Sequence, residues 1–195
     1  MIAKKEQNEK MSQKLYDQLI NSPQGLNTGT LRDVILPAIL GKETDEMLYW
    51  IGKDLARQYP VATTNDLVTL TQQLAFGDLT LVKKTTTSQI WRLGGPVIIN
   101  RVSRDNEETS FGLECGFLAQ EVEFQLNTIV EAKVNDRHHD YVEILLENDP
   151  QTKSSSERNE LVTFIHPQGA PAEKQSEDEK EKPSRLARLK HSKRK

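Results

Sequence analysis

One cysteine in 195 residues, a 6% share of aromatics and no long apolar run set the first limits on this chain. A single thiol cannot build a disulfide framework, nor a zinc or iron–sulfur site made of cysteines, and it suits a reducing compartment. The longest apolar stretch, Val34 to Leu40, contains Pro37 and falls far short of the roughly 18 to 20 residues that cross a bilayer. The opening MIAKKEQNEKMSQK carries charge with no apolar segment behind it, so neither a secretion signal nor a transmembrane segment is expected, and the expected location is cytoplasmic. The length suits one domain with appendages.

What is present is charge, unevenly placed. The whole chain has 26 Lys+Arg and 29 Asp+Glu, a net of −3. Gln168 to Lys195 holds nine basic and five acidic residues; removing them leaves 17 basic and 24 acidic, so a body of −7 carries a tail of +4. From Pro183 onward the tail has six basic residues, Arg185, Arg188, Lys190, Lys193, Arg194 and Lys195, and no acidic one. With so few apolar residues it cannot offset the entropy of ordering and is expected to be disordered in isolation. A second soft region, Asn148 to Asn159, combines Pro, Asp and a serine run and suits a flexible loop. The expected division is an N-terminal helical segment at 1–28, one α+β domain at 29–167, and a charged tail at 168–195, basic from 183.

Apolar periodicity divides the body further. Glu6 to Ile20 and Gly29 to Leu40 space apolar residues by three and four, as helices do, with Pro37 expected to kink or end the second. Thr44 to Tyr59 has Thr44 as a candidate N-cap, acids in its first turn and Pro60 behind it. Thr64 to Phe76 is another short helix, ended by Gly77. Then Leu79 to Lys84, Thr87 to Leu93 and Pro96 to Arg104 are short and rich in Val, Ile, Thr and Trp, which predicts an antiparallel meander. Leu113 to Asn127 is helical again. Ile129 to Asn135 and Asp140 to Glu147 form a hairpin, with LVTFIH as a possible last strand. Grouped this way, the elements predict an α+β fold in which helices cover an antiparallel sheet.

Two helices have informative faces. On Leu113 to Asn127, Cys115, Leu118, Ala119, Val122 and Leu126 share one side, while Leu113, Phe117 and Phe124 lie roughly opposite. A helix apolar on both sides must be covered on both, by the chain itself or by a partner subunit. On Thr44 to Tyr59, Met47, Leu48, Ile51, Leu55 and Tyr59 gather on one face, and Trp50 falls beside Lys53, Asp54 and Arg57. That indole is either covered by the N-terminal helix, offered to a partner, or part of a ligand wall, with Lys53 or Arg57 placed for a cation–π contact.

Four blocks, LPAILG (Leu36 to Gly41), MLYWIGKDLARQYP (Met47 to Pro60), GPVIINR (Gly95 to Arg101) and LECGFLAQEVE (Leu113 to Glu123), occur in order at compatible spacing. In these the chain resembles the YslB family, cytosolic proteins of Gram-positive bacteria, over roughly Thr30 to Glu147. The resemblance implies the fold of vinyl-4-reductase-type domains and TRAPP trafficking subunits. Some members of that wider group hold a small molecule or acyl chain in an apolar pocket, and dimers are common. A homodimer and an apolar ligand beside Cys115, Phe117, Ala119, Asn100 and Arg101 are therefore expectations. The cysteines acylated in trafficking subunits, or carried in the terminal hairpin of vinyl-reductase-type domains, have no counterpart in Ile129 to Glu147.

Chemistry is sparse by comparison. Cys115 on the broader apolar side reads as a core residue, with an acylated or nucleophilic thiol as the alternative. His138 and His139 are adjacent, so a strand would point them apart, which favours a solvated turn over a metal site. Glu114 and Glu121 share a helical edge and read as surface carboxylates. Asn100 and Arg101, at the end of an apolar strand, suit a structural hydrogen bond or a pocket rim. No cofactor is implied. The basic tail could meet phosphates or an anionic surface, weakly and without sequence preference, since no aromatic residue interleaves its charges. The leading functional expectation is a non-enzymatic binding or adaptor domain. The alternative is a protein or nucleic-acid interaction module acting through the tail and the Trp50 surface.

Overall fold

A computed structural model describes residues 25–104 and 109–154, together with Asp17, Leu19, Ile20, Asn21, Pro23 and Leu161. The N-terminal helix expected over Glu6 to Ile20 falls outside these residues except for Asp17, Leu19 and Ile20, which are helical. The charged tail lies outside them entirely. So does the possible last strand beyond Leu161, a residue that is itself in no strand.

The helical half opens with α1 (Gly25–Thr30), a π-helical turn (Leu31–Ile35) and α2 (Leu36–Leu40). Pro37 does not end this run. The wide turn before it, in which the Leu36 N–H reaches the Leu31 carbonyl, accommodates a residue that has no N–H and crowds the preceding turn. A 3-10 turn (Gly41–Glu43) leads into α3 (Thr44–Gln58). Thr44 is not the N-cap; it is already helical, and its hydroxyl donates back to the Gly41 carbonyl. α4 (Thr64–Gln73) is capped by Thr63, whose side chain accepts from the Asp66 N–H, and it stops before Gly77, with Ala75 taking the left-handed turn.

Among the described residues the sheet has four antiparallel strands, β1 (Asp78–Lys84), β2 (Ser88–Gly94), β3 (Thr128–Arg137) and β4 (Tyr141–Lys153), in the order β1-β2-β4-β3. Two hairpins thus meet through β2 and β4. One face is apolar: Leu81 lies opposite Trp91, Trp91 opposite Ile144, and Ile144 opposite Val134, while Leu79, Leu93 and Val142 form the next row. All the strongly buried strand residues belong to this face, which the helices cover.

Three expectations about these elements are corrected. Pro96–Arg104 is not a strand but a helix, α5. Gly95 at φ 87° turns the chain out of β2, Pro96 occupies the first helical position, and Ile98 and Val102, one turn apart, are buried apolar residues of the helix. The β-branched content of this segment had suggested extension; the Gly–Pro start and the four-residue spacing prevail. Of the loop expected over Asn148 to Asn159, residues 148–153 are instead the end of β4, and residues 155–159 lie outside the described ones. The apolar face of α3 packs only in part: Leu48 is buried and Leu55 half-buried against the core, while Met47, Ile51 and Tyr59 are exposed and Gly52, Lys53 and Ala56 are buried in their place.

That last correction has a steric cause in α6 (Gly112–Leu126), which runs between α3 and the sheet. A Cβ added at Gly116 would overlap the Tyr49 carbonyl, one at Gly112 the Asp45 carbonyl, and one at Gly52 the Leu113 carbonyl. The two backbones touch, so small residues make the contact and larger apolar ones are turned outward. α6 is buried from Glu114 to Phe124 without a break, which bears out the expectation of a central helix covered on both sides within the chain.

Candidate functional site

Full burial of α6 also encloses its polar residues. Glu114, Gln120, Glu121 and Glu123 are all buried, and each meets a different part of the fold. Glu114, read from sequence as a surface carboxylate, accepts through one oxygen from both Arg32 and Arg101 (2.7 Å for the latter). Arg101 also reaches Asp33 (3.4 Å) and the Ser110 carbonyl (2.7 Å), and lies over the Phe111 ring at 4.7 Å. Arg32 lies over Phe76 at 5.1 Å, and its burial lowers its pKa against the pull of Glu114. Arg101 is therefore a structural tie and belongs to a helix, not to the end of a strand. Its neighbour Asn100 is half-buried.

Glu121, the other misread carboxylate, accepts from the Val61 N–H at 3.0 Å, while Gln125 one turn on donates to the Val61 carbonyl at 3.4 Å. Its second oxygen is buried with no hydrogen-bond partner among the described residues. Desolvation pushes its pKa up to about 8 against the weaker opposing effect of the Val61 bond. Gln120 accepts from Arg57 at 2.8 Å.

Glu123 anchors the third cluster. Lys53 from α3 enters between Glu123 (3.8 Å) and Glu131 of β3 (3.3 Å), with the Val130 carbonyl at 3.4 Å. Glu123 also accepts from the Val130 N–H and from the Ser154 hydroxyl (2.6 Å). Beside Lys53, the Tyr49 hydroxyl donates to Glu131 and accepts from the Ala132 N–H at 3.3 Å. Burial and the Glu131 bond raise the Tyr49 pKa. On the outer side of this framework stands Trp50, edge-on to Tyr49 with ring centroids 6.0 Å apart and 5.7 Å from the Lys53 ammonium.

The structure thus joins Trp50 and Lys53 as expected, but separates their environments: Lys53 is buried and the indole is 59% exposed. Among the described residues Trp50 is left exposed, and the N-terminal helix expected to cover it lies largely outside them. Arg57 faces Asp54 and Gln120 on the same helix flank. Cys115, Phe117 and Ala119 lie in the packed core, Phe117 edge-on to Phe76 at 5.4 Å. Burial raises the Cys115 thiol well above its ordinary pKa. His138 stacks on Tyr141 at 4.2 Å and His139 is exposed. Sequence reading missed Glu121, Glu123 and Tyr49; the available signal was the doubly apolar α6, since covering both sides encloses the edges between them.

An antiparallel sheet with one face covered and a central helix behind it defines an α+β domain, and among the described residues no helix is long and apolar enough to cross a membrane. Residues 26–147 match the family described as a protein of unknown function, DUF2507, and the chain belongs to that family. The uncharacterized protein YslB of Bacillus subtilis (strain 168) is 32% identical over 102 residues, covering 52% of this chain and 68% of the relative. The resemblance to the YslB family is thereby borne out.

Proposed function

We propose that this chain is a non-enzymatic binding or adaptor domain that uses Trp50 as its principal contact residue. The observation that carries this reading is an indole 59% exposed on a framework held by Lys53, Glu123, Tyr49 and Glu131. Exposed tryptophans on fixed platforms supply much of the energy in protein contacts, because large apolar area is buried with little ordering cost. The narrower form of the reading, an apolar small molecule or acyl chain beside Cys115, Phe117 and Ala119, would have to open side chains that are now enclosed by the core. The surface form is therefore preferred. Use of Cys115 as a nucleophile would need an accessible thiolate, against which its burial weighs.

The test is a photo-crosslinking residue introduced at position 50, with position 84 on exposed β1 as control, in cells of the native host. A discrete adduct formed from position 50 and absent from position 84 is the expected result. Equal labelling from both positions would refute the assignment of Trp50 as a contact.

A further inference from the structure

From Gly25 to Gly41 the chain has two charged residues, Arg32 and Asp33, and both point into the body. Arg32 is buried, donates to Glu114 and lies over the Phe76 ring. Asp33 meets Arg101 at 3.4 Å. The two sit side by side in the π-helical turn, which turns both toward one cluster. The apolar residues of the run behave differently. Leu31, Ile35 and Ile39 are exposed, while Leu26, Val34, Leu36 and Leu40 are half-buried without joining the core cluster. Among the described residues, the ties of this run to the core are thus ionic and aromatic, where the other helices use apolar packing.

Its two ends are also distinct. Gly25 (φ 79°) and Gly41 (φ 64°) take left-handed backbone with open space around each, a region that glycine enters and leaves at little cost. The receiving side is firmly held. Glu114 of α6 and Arg101 of α5 are buried and bonded to each other at 2.7 Å, and Phe76 packs edge-on against Phe117 in the core.

We propose that the helical run between Gly25 and Gly41 is a hinged strap, latched to the body by the Arg32–Glu114 and Asp33–Arg101 pairs and able to lift as one unit. Apolar packing would fix such a run permanently. Buried ion pairs hold less firmly, because the cost of taking both charges out of water offsets most of their attraction. Lifting returns Arg32 and Asp33 to water and leaves Glu114 paired with Arg101, so no isolated charge stays buried on either side. Docked and lifted forms are therefore close in free energy, and lifting bares the Glu114 carboxylate beside the Phe76 ring. Trp50 stands on α3, beyond the Gly41 hinge, so contact at that residue neither requires nor excludes a lifted strap.

Hydrogen exchange of the full chain, followed by mass spectrometry, tests the latch. Amides of residues 30–40 should be protected and should exchange together, through an opening that occurs more often than the global unfolding reported by α6. Arg32→Ala leaves Glu114 short of a partner only while the strap is docked. It should speed exchange in the strap roughly ten- to a hundredfold, and in α6 by the same factor, because both openings start from the docked form. Val130→Ala, in the core near the other end of α6, should speed α6 on the order of tenfold and leave the strap at the rate of the parent, since Val130 stays packed when the strap lifts. A strap rate equal to that of α6, or one that rises with it in Val130→Ala, overturns the proposal. So does a strap rate unchanged by Arg32→Ala. If Arg32→Ala does not fold, Asp33→Asn carries the same prediction with a smaller effect.

Discussion

Glu121 shows how one residue ties this fold to pH. Its carboxyl meets a single backbone N–H, and burial raises its pKa from an ordinary 4.5 to about 8. Between those values the folded chain keeps a proton that the unfolded chain releases, so this group's contribution to stability is complete below pH 4.5 and is lost as pH rises toward 8. Glu121→Gln keeps an acceptor for Val61 and removes the titration. Thermal melts of the two proteins at pH 5 and pH 8 should diverge, the variant gaining relative to the parent by at least about 1 kcal/mol at the higher pH, since each tenfold in proton affinity is worth about 1.4 kcal/mol. Parallel pH dependence in both proteins would contradict the assignment. Nothing in the residue type foretold this. Glu114 and Glu121 have the spacing of exposed carboxylates, and only the cover over both sides of α6 decides that they are enclosed. Cys115 was legible, because its neighbours on the wheel are apolar.

Among the elements, the contact of α3 with α6 is set by glycine. A methyl at Gly116 would fall on the Tyr49 carbonyl, with backbone on both sides and no flexible side chain to yield. Gly116→Ala should therefore destabilise the protein by about 1 to 3 kcal/mol or more, as overpacked cores do. Gly94→Ala, whose Cβ would meet Asp140 and Tyr141 at 3.5 and 3.6 Å, should cost little by the same denaturant titration. Equal effects would discount the close-packing account. This contact also explains the uneven legibility of the helices. The limits of α3 and α6 followed from periodicity and Pro60, but the buried side of α3 did not, because apolar counting favours Met47 and Ile51 over Gly52 and Ala56. In α5, Val97, Ile98, Ile99 and Val102 spoke for a strand by residue type, and Gly95–Pro96 spoke for a helix start by geometry. The geometry decides the outcome.

Across the whole molecule, the α+β class and four of the five strand segments proposed over the body were readable from alternation and turn residues. The strand order was not, since pairing β2 with β4 depends on which faces are covered. That architecture sorts the chain's two tryptophans: Trp91 sits in the covered row of the sheet at 1% exposure, and Trp50 stands outside. Iodide should quench about one of the two emitting populations, and Trp50→Phe should leave a protein whose remaining emission iodide hardly reaches. Strong quenching in that variant would mean that the Trp91 row is open to solvent.

The pairing of β2 with β4 also bears on how the chain is made. Ser88 lies opposite Glu147 and Gly94 opposite Tyr141, so one edge of β2 stays unpaired until the ribosome has released β4. Until then a nascent chain already holding β1, β2 and α5 presents Ile90, Trp91 and Leu93 along an open edge, the kind of surface on which strands of neighbouring chains add. Products truncated before Tyr141 are accordingly the forms most prone to aggregate, and rapid translation through β3 and β4 shortens the exposure.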